Sequence, residues 1–192
     1  MSRVPSDGAE LWVVRHGETE WSRDRKHTSF TDVPLTDNGV AAAKELRERL
    51  AGERFDRVLT SPMARARLTA ELAGFDGAEP VDDLREWGYG DYEGRTNDEI
   101  RRSVPGWTVW SHPTPGGEPP EELTTRLDRV VDTVRARPGR VLVFGHGHAL
   151  RALTARWLGL GVGEGRLFRL DTATVSVLGF ERETPVILRW NS

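Results

Sequence analysis

The 192-residue sequence contains no cysteine, so it can build no disulfide framework, hold no metal through thiolates and use no cysteine nucleophile. Any covalent chemistry must fall to another side chain. Long apolar runs are missing too. None reaches the length that crosses a bilayer, and Met1 to Glu10, polar and interrupted by Pro5 and Gly8, lacks the apolar core of a signal peptide. The expected setting is the cytoplasm, with no membrane partner. Nor is there an excess of positive charge. A formal net charge of −3 argues against a nucleic-acid surface, because affinity for a polyanion comes from clustered Lys and Arg. Small anions stay in play, since the 27 Lys and Arg residues suffice to line a local pocket.

What is present is a mixture of 37% hydrophobic and 30% charged residues, the balance of a globular chain. The length suits one domain over residues 1–192, with 1–9 expected as a flexible N-terminal segment. No internal repeat or low-complexity tract interrupts it. Leu11 to Val14 is a short apolar run that stops at Arg15-His16-Gly17, the pattern of a buried strand ending in a turn. Further strands are expected at Phe55 to Thr60, Val141 to Phe144, Val175 to Phe180 and Val186 to Trp190, with a turn near Thr184-Pro185. Helical spacing runs from a Thr36 or Asp37 cap to about Ala51, from Ser61-Pro62 through Leu72, over Leu123 to Val134, and from Ala149 to Leu158. Thr96 to Glu99 has capping-box spacing before a short helix, and Val104 to Pro120, rich in Pro, Gly and Trp, is expected to be an ordered loop and a candidate lid. Strands alternating with helices imply an α/β fold of three layers, a doubly wound, mostly parallel sheet with helices on both faces. Ligands then bind outside the carboxyl ends of the strands.

Two of those strand ends carry histidine. Arg15-His16-Gly17-Glu18-Thr19 places a planar cation, an imidazole and a flexible glycine together, a set suited to phosphoryl transfer. Phe144-Gly145-His146-Gly147-His148 opens a helix, where backbone amides attract anions. A metal pair at His146 and His148 lacks further ligands at any familiar spacing, so no metal or other cofactor is expected. His148 is read as starting the helix and facing outward. Arg65, early in the helix after Ser61-Pro62, could project into the same crevice or be a solvated helix residue.

The blocks Arg15 to Trp21, Thr31 to Thr36 with Gly39, Ser61-Pro62 with Arg65, Glu86 to Gly94, and Gly145-His146-Gly147 resemble, in order and over nearly the whole chain, the histidine phosphatase superfamily, also called phosphoglycerate mutase-like. The resemblance implies that His16 is the phosphorylated nucleophile, that Arg15, Arg65 and a protonated His146 bind the phosphoryl group, and that Glu86 is the proton donor. It implies substrate contacts from Gly17, Thr19, Lys26, His27, Thr28, Ser29 and Gly147. Where members often carry a Gly-Arg pair and a later glycine, this chain has Lys26 and Ser29. The look is closest to broad acid phosphatases and sugar-bisphosphatase-like members, so the expected substrate is a small phosphorylated metabolite. A mutase of the same family and a phosphate-binding module without turnover are the rival readings. Mutases of the family are usually longer, with an inserted segment and tail closing over the site, so a phosphatase is the expected activity. The oligomeric state is left open.

Overall fold

The computed structural model describes residues 8–192. The elements run β1 (Ala9–Arg15), α1 (Glu20–Arg23), α2 (Asp37–Leu50), β2 (Arg57–Thr60), α3 (Ala64–Leu72), β3 (Glu79–Pro80), α4 (Asn97–Arg101), α5 (Pro120–Arg135), β4 (Gly139–Gly145), α6 (Gly147–Trp157), β5 (Val175–Glu181) and β6 (Thr184–Arg189). Of the expected flexible segment 1–9, residues 1–7 lie outside the described residues, and Ala9 is already part of β1.

Six strands form one sheet in the order β3-β2-β4-β1-β5-β6. The first four are mutually parallel, and β5 pairs antiparallel with both β1 and β6. Successive side chains of a strand face opposite sides of a sheet, and β1 shows it. Leu11 and Val13 join the core under α5 and α6, whereas Trp12 and Val14 join the core under α2 and α3. The result is the expected three-layer, mostly parallel α/β fold.

The differences are local. Ser61 does not cap α3: the helix begins at Ala64, whose amide donates to the Asp32 carboxylate at 3.1 and 3.2 Å. The final turn falls on Arg182-Glu183, where Arg182 takes the left-handed conformation (φ 55°), so Thr184 and Pro185 belong to β6. Proline is tolerated there because β6 is an edge strand. Two tryptophans tie the Trp-rich loop to the rest of the fold. Trp107 is fully buried, and Trp110 packs on Trp87 and His148.

Candidate active site

Strands β1 and β4 are hydrogen-bonded neighbours whose last residues, Arg15 and Gly145, are in register. The residues that follow them, His16 and His146, therefore leave the sheet side by side. His16 N–H donates to Gly145 C=O at 2.9 Å, and the two rings lie 5.2 Å apart. Ser61, just beyond β2, is tied to the same edge by its amide donating to Phe144 C=O at 2.8 Å. The chemistry thus gathers at the carboxyl ends of three adjacent central strands, where the connections change direction across the sheet.

Each ring is held in one state. His16 Nδ1 lies 2.7 Å from Gly17 C=O. A carbonyl only accepts, so the proton is on Nδ1 and the lone pair on Nε2. Burial and the flanking Arg15 and Arg65 hold His16 well below the ordinary histidine pKa, which keeps it neutral and nucleophilic. His146 Nε2 lies 2.7 Å from Ser61 Oγ, which itself accepts from Met63 N–H at 3.3 Å. The serine proton then goes to Nε2, and Nδ1–H is left pointing into the site. Burial, Arg65, His16 and Arg15 also hold His146 well below its ordinary pKa. That burial and those cations disfavour the protonated His146 expected from sequence, and the Ser61 contact gives a neutral ring its donor at Nδ1.

Arg15 Nη1 donates to Leu170 C=O at 2.8 Å, and Arg65 donates to Thr31 C=O at 3.0 Å and Ser29 C=O at 2.9 Å. Burial lowers the pKa of both guanidinium groups, with Glu86 as the leading counter-charge. They remain cations. Arg15 Nε, Arg65 Nε and His146 Nδ1 are buried and have no hydrogen-bond partner among the described residues. Buried donors without partners are rare; the His146 ring lies 5.2 Å from that of His16, and Arg15 and Arg65 are close enough to lower the pKa of His16.

Glu86 is 6% exposed. Its Oε1 accepts the amides of Trp87 at 2.9 Å and Ala149 at 2.7 Å, and Oε2 accepts that of His148 at 3.0 Å. The carboxylate therefore caps α6, the helix that starts at Gly147. Arg85, the neighbour that a purely structural role would pair with it, bonds Asp82 instead at 2.9 Å.

Arg15, His16, Glu86 and Gly147 line one cavity of about 340 Å³, together with Lys26, His27 and Thr28. Gly147 keeps the wall open, since a Cβ there would sit 3.3 Å from the Arg15 guanidinium. Other expected contacts lie elsewhere. Thr19 Oγ1 caps α1 by accepting Ser22 N–H at 3.1 Å. Ser29 turns its hydroxyl and its amide to Glu93. Gly17 is required by packing rather than by an anion: a Cβ would lie 2.5 Å from Gly39 C=O, and its amide donates to Thr69 Oγ1 at 3.0 Å. Arg65 and His146 are fully buried and are not part of the cavity lining.

Several wall residues were not singled out from sequence: Tyr89, Arg151, Asn97 and Asp171 among them. His148 is a correction. It lines the cavity instead of facing outward, because Tyr89 Oη hydrogen-bonds its Nδ1 and His27 stacks on its ring at 5.7 Å. Among the described residues, no three His, Cys, Asp or Glu side chains gather where they could hold a metal ion.

A family model of the histidine phosphatase superfamily (branch 1) matches residues 11–192. An acid phosphatase of Mycobacterium tuberculosis (strain ATCC 25618 / H37Rv) is 42% identical over 176 residues, covering 89% of this chain and 86% of that one. Sedoheptulose 1,7-bisphosphatase of Saccharomyces cerevisiae (strain ATCC 204508 / S288c) is 34% identical over 196 residues, covering 83% of this chain and 71% of that one. The solved structure of a functionally characterised open reading frame from Mycobacterium tuberculosis superposes with a TM-score of 0.91 at 38% identity, covering 95% of this chain and 96% of that one.

Proposed function

This chain belongs to the histidine phosphatase superfamily, whose named relatives include an acid phosphatase and a sedoheptulose 1,7-bisphosphatase, and we propose that it hydrolyses small phosphomonoesters through a phosphohistidine on His16. One observation carries the proposal. The His16 imidazole, held with Nε2 free by its Nδ1 contact to Gly17 C=O, lies beside the His146 ring at 5.2 Å and under the influence of Arg15 and Arg65, and Arg15 Nε, Arg65 Nε and His146 Nδ1 are buried donors without a partner among the described residues. A phosphoryl group in transfer spreads negative charge over its peripheral oxygens, and fixed donors around those oxygens stabilise it.

The geometry supports the following steps. His16 Nε2 attacks phosphorus as the bond to the leaving oxygen breaks, and Glu86, which takes up a proton as the anionic substrate binds beside it, gives that proton to the leaving oxygen. Of the two carboxylate oxygens, Oε2 has one amide partner against two for Oε1, so Oε2 is the one with room for the proton. After the alcohol departs, Glu86 takes a proton from water as the water oxygen bonds to phosphorus and the P–N bond breaks. Inorganic phosphate leaves, and His16 and Glu86 return to their starting states.

The leaving alcohol should be polar. Among the residues lining the cavity only Leu170 and Gly147 lack a polar side chain, which supports sugar phosphates or related metabolites over hydrophobic esters. The net charge of −3 supports a small anion over a nucleic acid. The test is phosphate release across a panel of sugar phosphates, phosphoglycerates and nucleotides. Release from polar phosphomonoesters is expected, and interconversion of 3- and 2-phosphoglycerate without release would make the chain a mutase instead. Binding without turnover would make it a phosphate-binding module.

A further inference from the structure

Arg126 lies on α5 and is absent from the cavity wall, yet it is 9% exposed and uses all five of its N–H donors. Nε and Nη2 grip the two Glu118 oxygens at 2.6 and 2.8 Å. Nη1 donates to Asp83 C=O at 2.7 Å and Arg85 C=O at 2.9 Å, and Nη2 also to Glu86 C=O at 3.2 Å. Glu118 holds the same segment from its other end. Its Oε2 accepts Gly88 N–H at 3.2 Å, its carbonyl accepts Trp87 Nε1–H at 2.8 Å, and its amide donates to Gly88 C=O at 2.9 Å. Backbone or side chain of every residue from Arg85 to Gly88 is therefore bonded to this one ion pair.

Segment 85–88 has no sheet or α-helix of its own to fix it, since a short 3₁₀ turn ends at Leu84 and the next begins at Gly90. A planar fork of five donors matches the three carbonyls and one carboxylate that converge on it, and no other side chain can reproduce that pattern. Nearly buried, with side-chain exposures of 11% and 17%, the pair is screened little by solvent, and its geometry is stiff.

We propose that Arg126 and Glu118 are positioning residues for the general acid: they set where Glu86 stands relative to the leaving oxygen without touching substrate. The proposal rests on Glu86 being the proton donor. Misplacing a catalytic group by an ångström from a distant site can cost about 100-fold. Arg126→Lys keeps the charge but gathers its three donors on one nitrogen, so it cannot span the backbone carbonyls and the carboxylate together. Glu118→Gln keeps the shape but turns an N–H toward the guanidinium.

The experiment measures single-turnover formation of phosphoenzyme with a sugar phosphate and with p-nitrophenyl phosphate in wild type, Arg126→Lys, Glu118→Gln, Glu86→Gln and the Glu86→Gln/Arg126→Lys double variant. An alkoxide needs the acid and the nitrophenolate does not. The expected result is a loss of about 10- to 100-fold on the sugar phosphate for each clamp variant and of less than about threefold on the aryl phosphate. In the Glu86→Gln background, Arg126→Lys should cost nothing further, because the two act as one unit. Equal losses on both substrates, no loss on either, or full additivity in the double variant overturns the proposal. Glu86→Gln with no leaving-group dependence instead defeats the acid assignment, and the clamp falls with it. The aryl phosphate rate reports in every variant that the fold and His16 are intact.

Discussion

Glu86 Oε1 accepts the amide hydrogen of Ala149 at 2.7 Å, which locks the cavity carboxylate to the first turn of the helix that also carries His146 at its start. The proposed proton donor and the proposed phosphoryl-binding ring are thus held by one element. Glu86→Gln keeps the shape but loses the transferable proton. Its first-step rate should fall by about 10²–10⁴-fold for alkyl phosphates and far less for p-nitrophenyl phosphate. With the aryl ester, slowed dephosphorylation should accumulate phosphohistidine. Rapid-quench rates with the two esters are the measurement, and an equal loss for both would make Glu86 a positioning residue.

Ser61→Ala removes the partner of His146 Nε2 and frees the ring to choose its tautomer. A tautomer with the proton on Nε2 offers no donor to the phosphoryl group. We expect kcat/KM to fall about tenfold, which corresponds to about 1.4 kcal/mol, and vanadate inhibition to weaken in parallel. Wild-type inhibition by vanadate with Ser61→Ala would show that the serine does not hold the ring.

Stability should depend on pH through the buried imidazoles. Burial is the largest cause holding His16, His146 and His148 well below 6.5, so the unfolded chain binds more protons than the folded one once pH drops below that value. The folded state therefore loses stability as pH falls from 6.5 toward the folded-state values, by up to about 1.4 kcal/mol per pH unit for each of these histidines. Thermal midpoints between pH 7.5 and 5 read this directly. Vanadate, bound only by the folded form, should raise the midpoint at every pH. A midpoint flat across that range contradicts the assignment of neutral buried rings.

Activity should survive chelation, because Arg15 and Arg65 supply the charge that a metal would provide. Assays after prolonged treatment with a chelator should match untreated enzyme. Loss of activity restored by one added metal would contradict this.

The strands and the two histidine turns were legible because their signals are local. Leu11 to Val14 and Val141 to Phe144 are runs of four apolar residues, and each stops one residue short of its histidine. Side-chain direction was less legible. Ser61 has the sequence signature of a helix cap, but its hydroxyl bonds a ring 85 residues away. Ser29 and Thr19 sit in blocks that point to the site, yet Glu93 claims one and α1 the other. His148 turns inward only because Tyr89, 59 residues earlier, waits there. The Arg126–Glu118 pair has no motif at all, since its partners are mostly backbone carbonyls 40 to 43 positions away.

The central claim is a phosphohistidine on His16, and the most direct measurement is to trap it. Enzyme mixed with a ³²P-labelled phosphomonoester is quenched in alkali within milliseconds, because phosphohistidine is acid-labile, and the labelled peptide is sequenced. The geometry predicts the label on His16 at Nε2, since Nδ1 is tied to Gly17 C=O at 2.7 Å, and neither label nor turnover in His16→Ala. Label on any other residue, or turnover in the alanine variant at the wild-type rate, would contradict the account.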